Sequence, residues 1–163
     1  MNISGISHPN VNNGLGLRVT IWVSGCIHHC KGCHNPETWD FNHGKEFTDD
    51  DKQIVFEQLE KPYIKGVTFS GGDPLCSYKD VLELAREIKE KYPSKDIWIF
   101  TGFKFEKVAE HFGDILKYVD YIVDGKFEID KRDVSLAFRG SKNQNIWKKN
   151  EEGNFDIVNL DNS

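Results

Sequence analysis

Between Leu17 and Ser24 every second residue is apolar: Leu17, Val19, Ile21 and Val23 alternate with Arg18, Thr20, Trp22 and Ser24. A period of two predicts a strand, and this one runs straight into Cys26. Thr48, with Asp51 three residues later, reads as an N-cap and capping box. Ile54, Val55 and Leu59 then supply the apolar face of a helix that ends before Pro62. Gly66 to Ser70 is a second β-rich run, closed by Gly71-Gly72. Ser77 reads as the cap of a further helix, with Asp80 in the box position. Val81, Leu84, Ala85 and Ile88 follow at helical spacing until Pro93. The continuous apolar run Ile97 to Phe100 predicts a strand buried on both faces, with Trp98 and Phe100 in the core. Phe105, Val108 and Phe112 mark a helix broken at Gly113, and Val119 to Val123 a fourth strand ending at Asp124-Gly125. Strands alternating with helices predict an α/β fold with a mostly parallel sheet. From Lys126 to the end, residues 126–163, the pattern is irregular, with a terminal hairpin expected around Gly153.

This order has a geometric consequence. Ligands in parallel α/β folds bind at the carboxyl ends of the strands, and each notable motif follows a strand. The cysteines follow the first, Gly71-Gly72-Asp73-Pro74 the second, Thr101-Gly102 the third and Asp124-Gly125 the fourth. All four are expected on one rim. A full eight-stranded barrel needs about 250 residues, so 163 residues allow only a partial (β/α) barrel, open on one side. The expected organisation is one domain over 1–163.

Composition narrows the partners. A net charge of -5 with scattered Lys and Arg gives no basic footprint for nucleic acid or anionic lipid. No apolar stretch approaches a membrane span, and the N-terminal residues lack the pattern of a signal peptide, so a cytoplasmic location is expected. Four cysteines in a reducing compartment point to metal ligands more than to disulfides.

Three of those cysteines carry the chemistry. Cys26, Cys30 and Cys33 lie in Cys26-Ile27-His28-His29-Cys30-Lys31-Gly32-Cys33. A cubane iron–sulfur cluster normally takes four thiolates, so three leave one iron open to a small molecule, as catalytic metal sites do. The spacing also allows zinc, with one of His28, His29 or His34 as fourth ligand, or a Cys30-x-x-Cys33 redox pair. Cys76 reads as a small buried thiol or loop residue, and His28 and His29 as solvated surface residues. Asn13-Gly14-Leu15-Gly16 is not a dinucleotide fingerprint.

Cys-x3-Cys-x2-Cys is the spacing of radical S-adenosylmethionine enzymes. With Val23-Ser24-Gly25-Cys26, Cys30-Lys31-Gly32-Cys33, Asn35, Trp39 and Ser70 to Leu75, the chain resembles the anaerobic ribonucleoside-triphosphate reductase activating proteins of that superfamily. Asp96 to Gly102, Val123 to Phe127, Arg139-Gly140-Ser141 and Asn143-Gln144 extend the likeness over about 12–144. The resemblance implies a partial barrel of the radical SAM type and a [4Fe-4S] cluster on Cys26, Cys30 and Cys33, with S-adenosylmethionine chelated by the open iron. It further implies cofactor contacts at Gly32, Cys33, His34 and Gly72, with Gly71 and Asp73 beside them. It implies no catalytic residue beyond cluster and cofactor. The reaction it implies is one-electron cleavage of S-adenosylmethionine and a glycyl radical made on the partner reductase, whose glycine loop is the substrate. The electron donor would be reduced flavodoxin or a similar carrier. The late motifs favour that reductase over other glycyl-radical partners such as pyruvate formate-lyase; a zinc-binding interaction module is the alternative of a different class. Two positions depart from the family pattern: His34, where an aromatic residue is usual, and Lys142, where serine is common. The segment Arg139 to Gln144 reads equally as a polar turn or as a functional contact.

Overall fold

The computed structural model describes residues 1–10, 12–33 and 36–161. In chain order the elements are β1 (Asn2–Asn10), β2 (Arg18–Val23), β3 (Lys45–Glu46), α1 (Asp49–Leu59), β4 (Gly66–Gly71), α2 (Tyr78–Lys91), β5 (Asp96–Phe100), α3 (Phe105–His111), β6 (Tyr121–Asp124), β7 (Asn145–Lys149) and β8 (Phe155–Val158). All eight strands form one sheet in the order β3-β1-β2-β4-β5-β6-β7-β8.

The centre, β2-β4-β5-β6, is parallel, as the alternation of strands and helices requires. The flanks are antiparallel: β1 pairs with β2 and β3, β6 with β7, and β7 with β8. The expectation of a mostly parallel partial barrel is therefore corrected to a mixed, unclosed sheet with a parallel centre. The physical reason is the kind of connection. The parallel neighbours are joined by crossovers that carry α1, α2 and α3, whereas β1 returns to β2 and β7 to β8 through short loops, and β6 reaches β7 through residues 125–144, which hold no α-helix. The hairpin expected around Gly153 forms β7 and β8.

Helices cover one face. Val55, Leu59, Val81, Leu84, Ile88 and Val108 pack on Val19, Ile21, Val67, Phe69, Ile97, Ile99 and Ile122 in one buried core. The other face is not solvent, as simple alternation suggests. It holds a smaller cluster of Trp98, Tyr121, Val123 and Ile146, together with the fully buried Arg18 and Thr68. Arg18 Nε donates to Thr68 Oγ1 at 2.8 Å, Nη2 meets Asp96 Oδ1 at 2.6 Å, and the guanidinium lies 5.6 Å from the Trp98 ring. Among the described residues no helix is long and apolar enough to cross a membrane.

The helix starts show how local sequence sets these elements. At α1 the capping box forms: Asp51 N–H donates to Thr48 Oγ1 at 3.3 Å and Thr48 N–H to Asp51 Oδ2 at 2.9 Å. At α2 the expected Ser77 cap makes no side-chain bond. Asp73 instead caps the preceding 3₁₀ turn, Pro74–Ser77, by accepting from Leu75 N–H at 3.0 Å. Asp80 pairs with the amino group of Met1 at 2.9 Å.

Lys45, then the Thr48 amide, hold the Asp51 carboxyl below the usual carboxylate range. A lowered pKa gives stability that is present above the unfolded value of about 3.9 and lost as pH falls through the folded value. Asp51→Asn should therefore lower the melting temperature near neutral pH by about 2–4 °C, the effect of losing one cap. The gap between variant and parent should close at about pH 2, as thermal melts at the two pH values will check.

Candidate functional site

The carboxyl ends of β2, β4, β5 and β6 and the loops beyond them line one cavity of about 220 Å³. The loop after β2 contributes Cys26, His28, Cys30 and Cys33; β4 and its loop Ser70 to Asp73; β5 Phe100, Thr101 and Gly102; β6 Val123 and Gly125, with Phe127 beyond it. The expected convergence on one rim is thus present in the fold. It follows from the parallel centre, which carries every one of these strands in the same direction.

The loop after β2 is built on close backbone approaches. Gly25 has φ +102°, and a Cβ there would lie 2.2 Å from the Phe41 ring. Cys26 N–H donates to Trp39 O at 3.1 Å and Cys33 N–H to Cys30 O at 3.1 Å. Gly71, at φ +105°, is dictated by β2: a Cβ would stand 2.5 Å from Val23 O. Gly72 N–H also donates to Val23 O, at 2.8 Å. The pair thus lets β4 and its loop lie tight against β2, a structural need that precedes any contact with a ligand.

Asp73 is buried, and its carboxyl is fully engaged. Oδ1 accepts from Leu75 N–H at 3.0 Å and Thr101 Oγ1 at 3.0 Å; Oδ2 accepts from Gly102 N–H at 2.8 Å and meets His28 Nε2 at 2.6 Å. His28 is correspondingly not a surface residue: its side chain is 4 % exposed and packs edge-on against Phe103. The reading of His28 as solvated is corrected, because a loop that bends back to the rim turns this ring inward. His29 is exposed, and its ring stacks on Trp39 with centroids 4.5 Å apart.

All four cysteines are free thiols. Burial pushes the Cys26 and Cys30 thiols up. Cys76 goes up to about 12, through burial first and the nearby Asp73 charge second. A metal ligand must shed its proton; Cys76 is half-buried on the 3₁₀ turn Pro74–Ser77 and absent from the cavity lining. Gly32 also lies off the cavity, against Ile129. His34 lies outside the described residues. Lys142 is exposed.

Sequence reasoning left Gly140 and Gln144 out of the site, yet both line the cavity. Gln144 Oε1 accepts from Gly140 N–H at 2.8 Å and its Nε2 donates to Gly125 O at 2.8 Å, which fastens the late segment to the end of β6. The signal was the match at Arg139-Gly140-Ser141 and Asn143-Gln144; a turn-like composition concealed it.

A family described as "4Fe-4S single cluster domain" matches residues 12–147. The chain is 40 % identical over 153 residues to the anaerobic ribonucleoside-triphosphate reductase-activating protein of Enterobacteria phage T4, covering 93 % of this chain and 96 % of that one. The protein of the same name from Haemophilus influenzae is 42 % identical over 143 residues, covering 85 % and 92 %, and that of Escherichia coli K12 40 % over 139 residues, covering 83 % and 90 %. The chain belongs to this activating-protein family. Membership makes an iron–sulfur cluster the group to test against the cavity. For an activating protein of this family the donor set is suitable: three thiols face the cavity, His28 Nε2 is taken by Asp73, and His29 stacks elsewhere. Among the described residues no three His, Cys, Asp or Glu groups gather around one point as a single ion requires. A cubane places each thiolate on a separate iron, so its ligands stand farther apart than those of a single ion.

Proposed function

We propose that this chain is a radical S-adenosylmethionine enzyme that makes a glycyl radical on an anaerobic ribonucleoside-triphosphate reductase. The observation that carries the reading is the cavity itself: Cys26, Cys30 and Cys33 face it together with Gly71 and Gly72, while the fourth cysteine lies off it. Three thiolates would hold a [4Fe-4S] cluster and leave one iron for the amino and carboxylate groups of S-adenosylmethionine. Held there, the cluster would supply one electron for splitting S-adenosylmethionine into methionine and a 5′-deoxyadenosyl radical, which would take a hydrogen atom from a glycine Cα of the reductase and leave as 5′-deoxyadenosine. The chain's own residues bind, orient and enclose. Gly71, Gly72 and Cys33 would flank the cofactor, with Gly32 and His34 assigned there by resemblance. Asp73 would act behind them, since its carboxyl is already spent on protein donors. The relatives are named as activators of that reductase, which supplies the partner, and the cytoplasm is proposed as the place of work.

The electron donor would be a small acidic carrier such as reduced flavodoxin. Beside the cysteine cavity, and sharing His28 and Gly102 with it, lies a groove of about 780 Å³ lined by Lys104, Lys107 and Lys126. Reversing these three lysines to Glu should slow reduction by flavodoxin about tenfold at low salt. Reduction by a small neutral photoreductant should be unchanged; equal slowing with both would remove the groove from the reading.

Anaerobic reconstitution with iron and sulfide, followed by reduction, tests the function directly. Methionine and 5′-deoxyadenosine should appear in equal amounts from S-adenosylmethionine. A colourless protein holding one zinc and cleaving nothing would establish the zinc-module alternative instead.

A further inference from the structure

His28 lies midway between Cys26 and Cys30, yet its ring nitrogen is committed to a residue on another loop. Nε2 meets Asp73 Oδ2 at 2.6 Å. The same oxygen accepts from Gly102 N–H at 2.8 Å, and Thr101 Oγ1 lies 2.9 Å away. Asp73 also grips the loop at its other end, its own N–H donating to Gly25 O at 2.8 Å. Cys26 is therefore bracketed by two contacts to one aspartate. That aspartate directly follows Gly71-Gly72 in the chain. The ring has room only because residue 102 is glycine, where a Cβ would stand 2.5 Å from His28 Cδ2, and Phe103 closes on its face.

We infer that His28 is a positioning residue: through Asp73 it locks the Cys26–Cys30 segment to the Gly71-Gly72 loop and so fixes where the cluster's open position faces the S-adenosylmethionine site. The inference rests on the function proposed above, and it assigns His28 neither ligation nor proton transfer. Two loops that carry different parts of one site must keep a fixed separation, because small displacements from productive geometry are costly. A buried carboxyl shared by both loops and by the end of β5 provides that constraint. Its hydrogen bonds are stronger than those between neutral groups.

Two variants separate the bond from the packing. His28→Leu fills the space against Phe103 and removes the donor; His28→Gln retains a donor where Nε2 stands. After anaerobic reconstitution, His28→Leu should carry as much iron and sulfide as the parent. It should bind S-adenosylmethionine about tenfold more weakly, and adding S-adenosylmethionine should change the paramagnetic resonance spectrum of its reduced cluster less. His28→Gln should restore both. In the cluster-free protein, backbone amides of 26–30 should exchange faster in His28→Leu than in His28→Gln. This readout stands even where the proposed function fails in the parent. Parent-like affinity, spectrum and exchange in His28→Leu would overturn the positioning role. So would loss of the cluster from a folded His28→Leu, which would make His28 a ligand.

Discussion

On the proposed function, Cys30→Ala is expected to lose both the iron–sulfur cluster and the cleavage of S-adenosylmethionine, with activity falling to background. Cys30 is one of three thiols on the cavity, and among the described residues no other cysteine lines it. Cys76 lies off the cavity, with its thiol pushed up to about 12, while His28 is bound to Asp73. A cubane with two protein ligands is left too exposed to persist. The fold should survive, because Cys30 is only partly buried and truncating such a side chain costs little. Cys76→Ala is the matching control and should keep the cluster and the cleavage. Iron and sulfide analysis with visible absorbance after reconstitution checks both variants, and a colourless Cys76→Ala would reassign the ligands.

The second large effect lies at the opposite end of the sheet. Arg18 is fully buried, and it joins β2 to β4 and β5. Nη2 donates to Val67 O at 3.0 Å and meets Asp96 Oδ1 at 2.6 Å, while Nη1 donates to Leu15 O at 2.9 Å. Burial pulls the guanidinium pKa down and the Asp96 pKa up, so each group resists charging and depends on the other. Breaking such a pair from one side leaves an uncompensated charge and costs about 3–5 kcal/mol. Arg18→Met, which keeps most of the stem volume, should therefore lower the melting temperature by about 10 °C. Adding Asp96→Asn should recover part of that loss, the mark of a coupled pair. Because Arg18 begins β2 and the cysteines follow its end, folded Arg18→Met should reconstitute a normal cluster. A melting temperature within about 2 °C of the parent would mean that the pair contributes no net stability.

Arg18 also marks where periodicity stops being informative. Alternation along β2 predicts the strand, and Val19, Ile21 and Val23 lie in the main core, but a period of two does not say what covers Arg18 and Thr20. Both are buried, because the second face of the sheet is covered by Trp98 and its neighbours. That covering is a long-range property which no window of sequence contains. β1 was missed for a local reason: Gly5 and Pro9 interrupt it, and register shifts between Ile3 and Gly5 and between Ser7 and Asn10 destroy its period. The Thr48–Asp51 box was legible because it rests on residues three positions apart, and the parallel centre because each of its strands and crossover helices carries its own local period, from which the pairing follows. The rim was legible as a set of loops at strand ends, and three thiols on one cavity follow from it. The Asp73 hub was not. An aspartate before proline reads as a helix start, and it does cap a turn, but its bonds to His28 and Thr101 span 45 and 28 positions. The chemistry of this site was written in adjacent residues, whereas its rigidity depends on distant ones.

Radical transfer to the partner is the step that decides the proposed function. Reduced, cluster-loaded protein mixed anaerobically with S-adenosylmethionine and the anaerobic ribonucleoside-triphosphate reductase should give a glycyl-radical signal by electron paramagnetic resonance. That signal should grow with 5′-deoxyadenosine and be absent without S-adenosylmethionine. A loaded and reduced protein that leaves the reductase without any such signal would contradict the account.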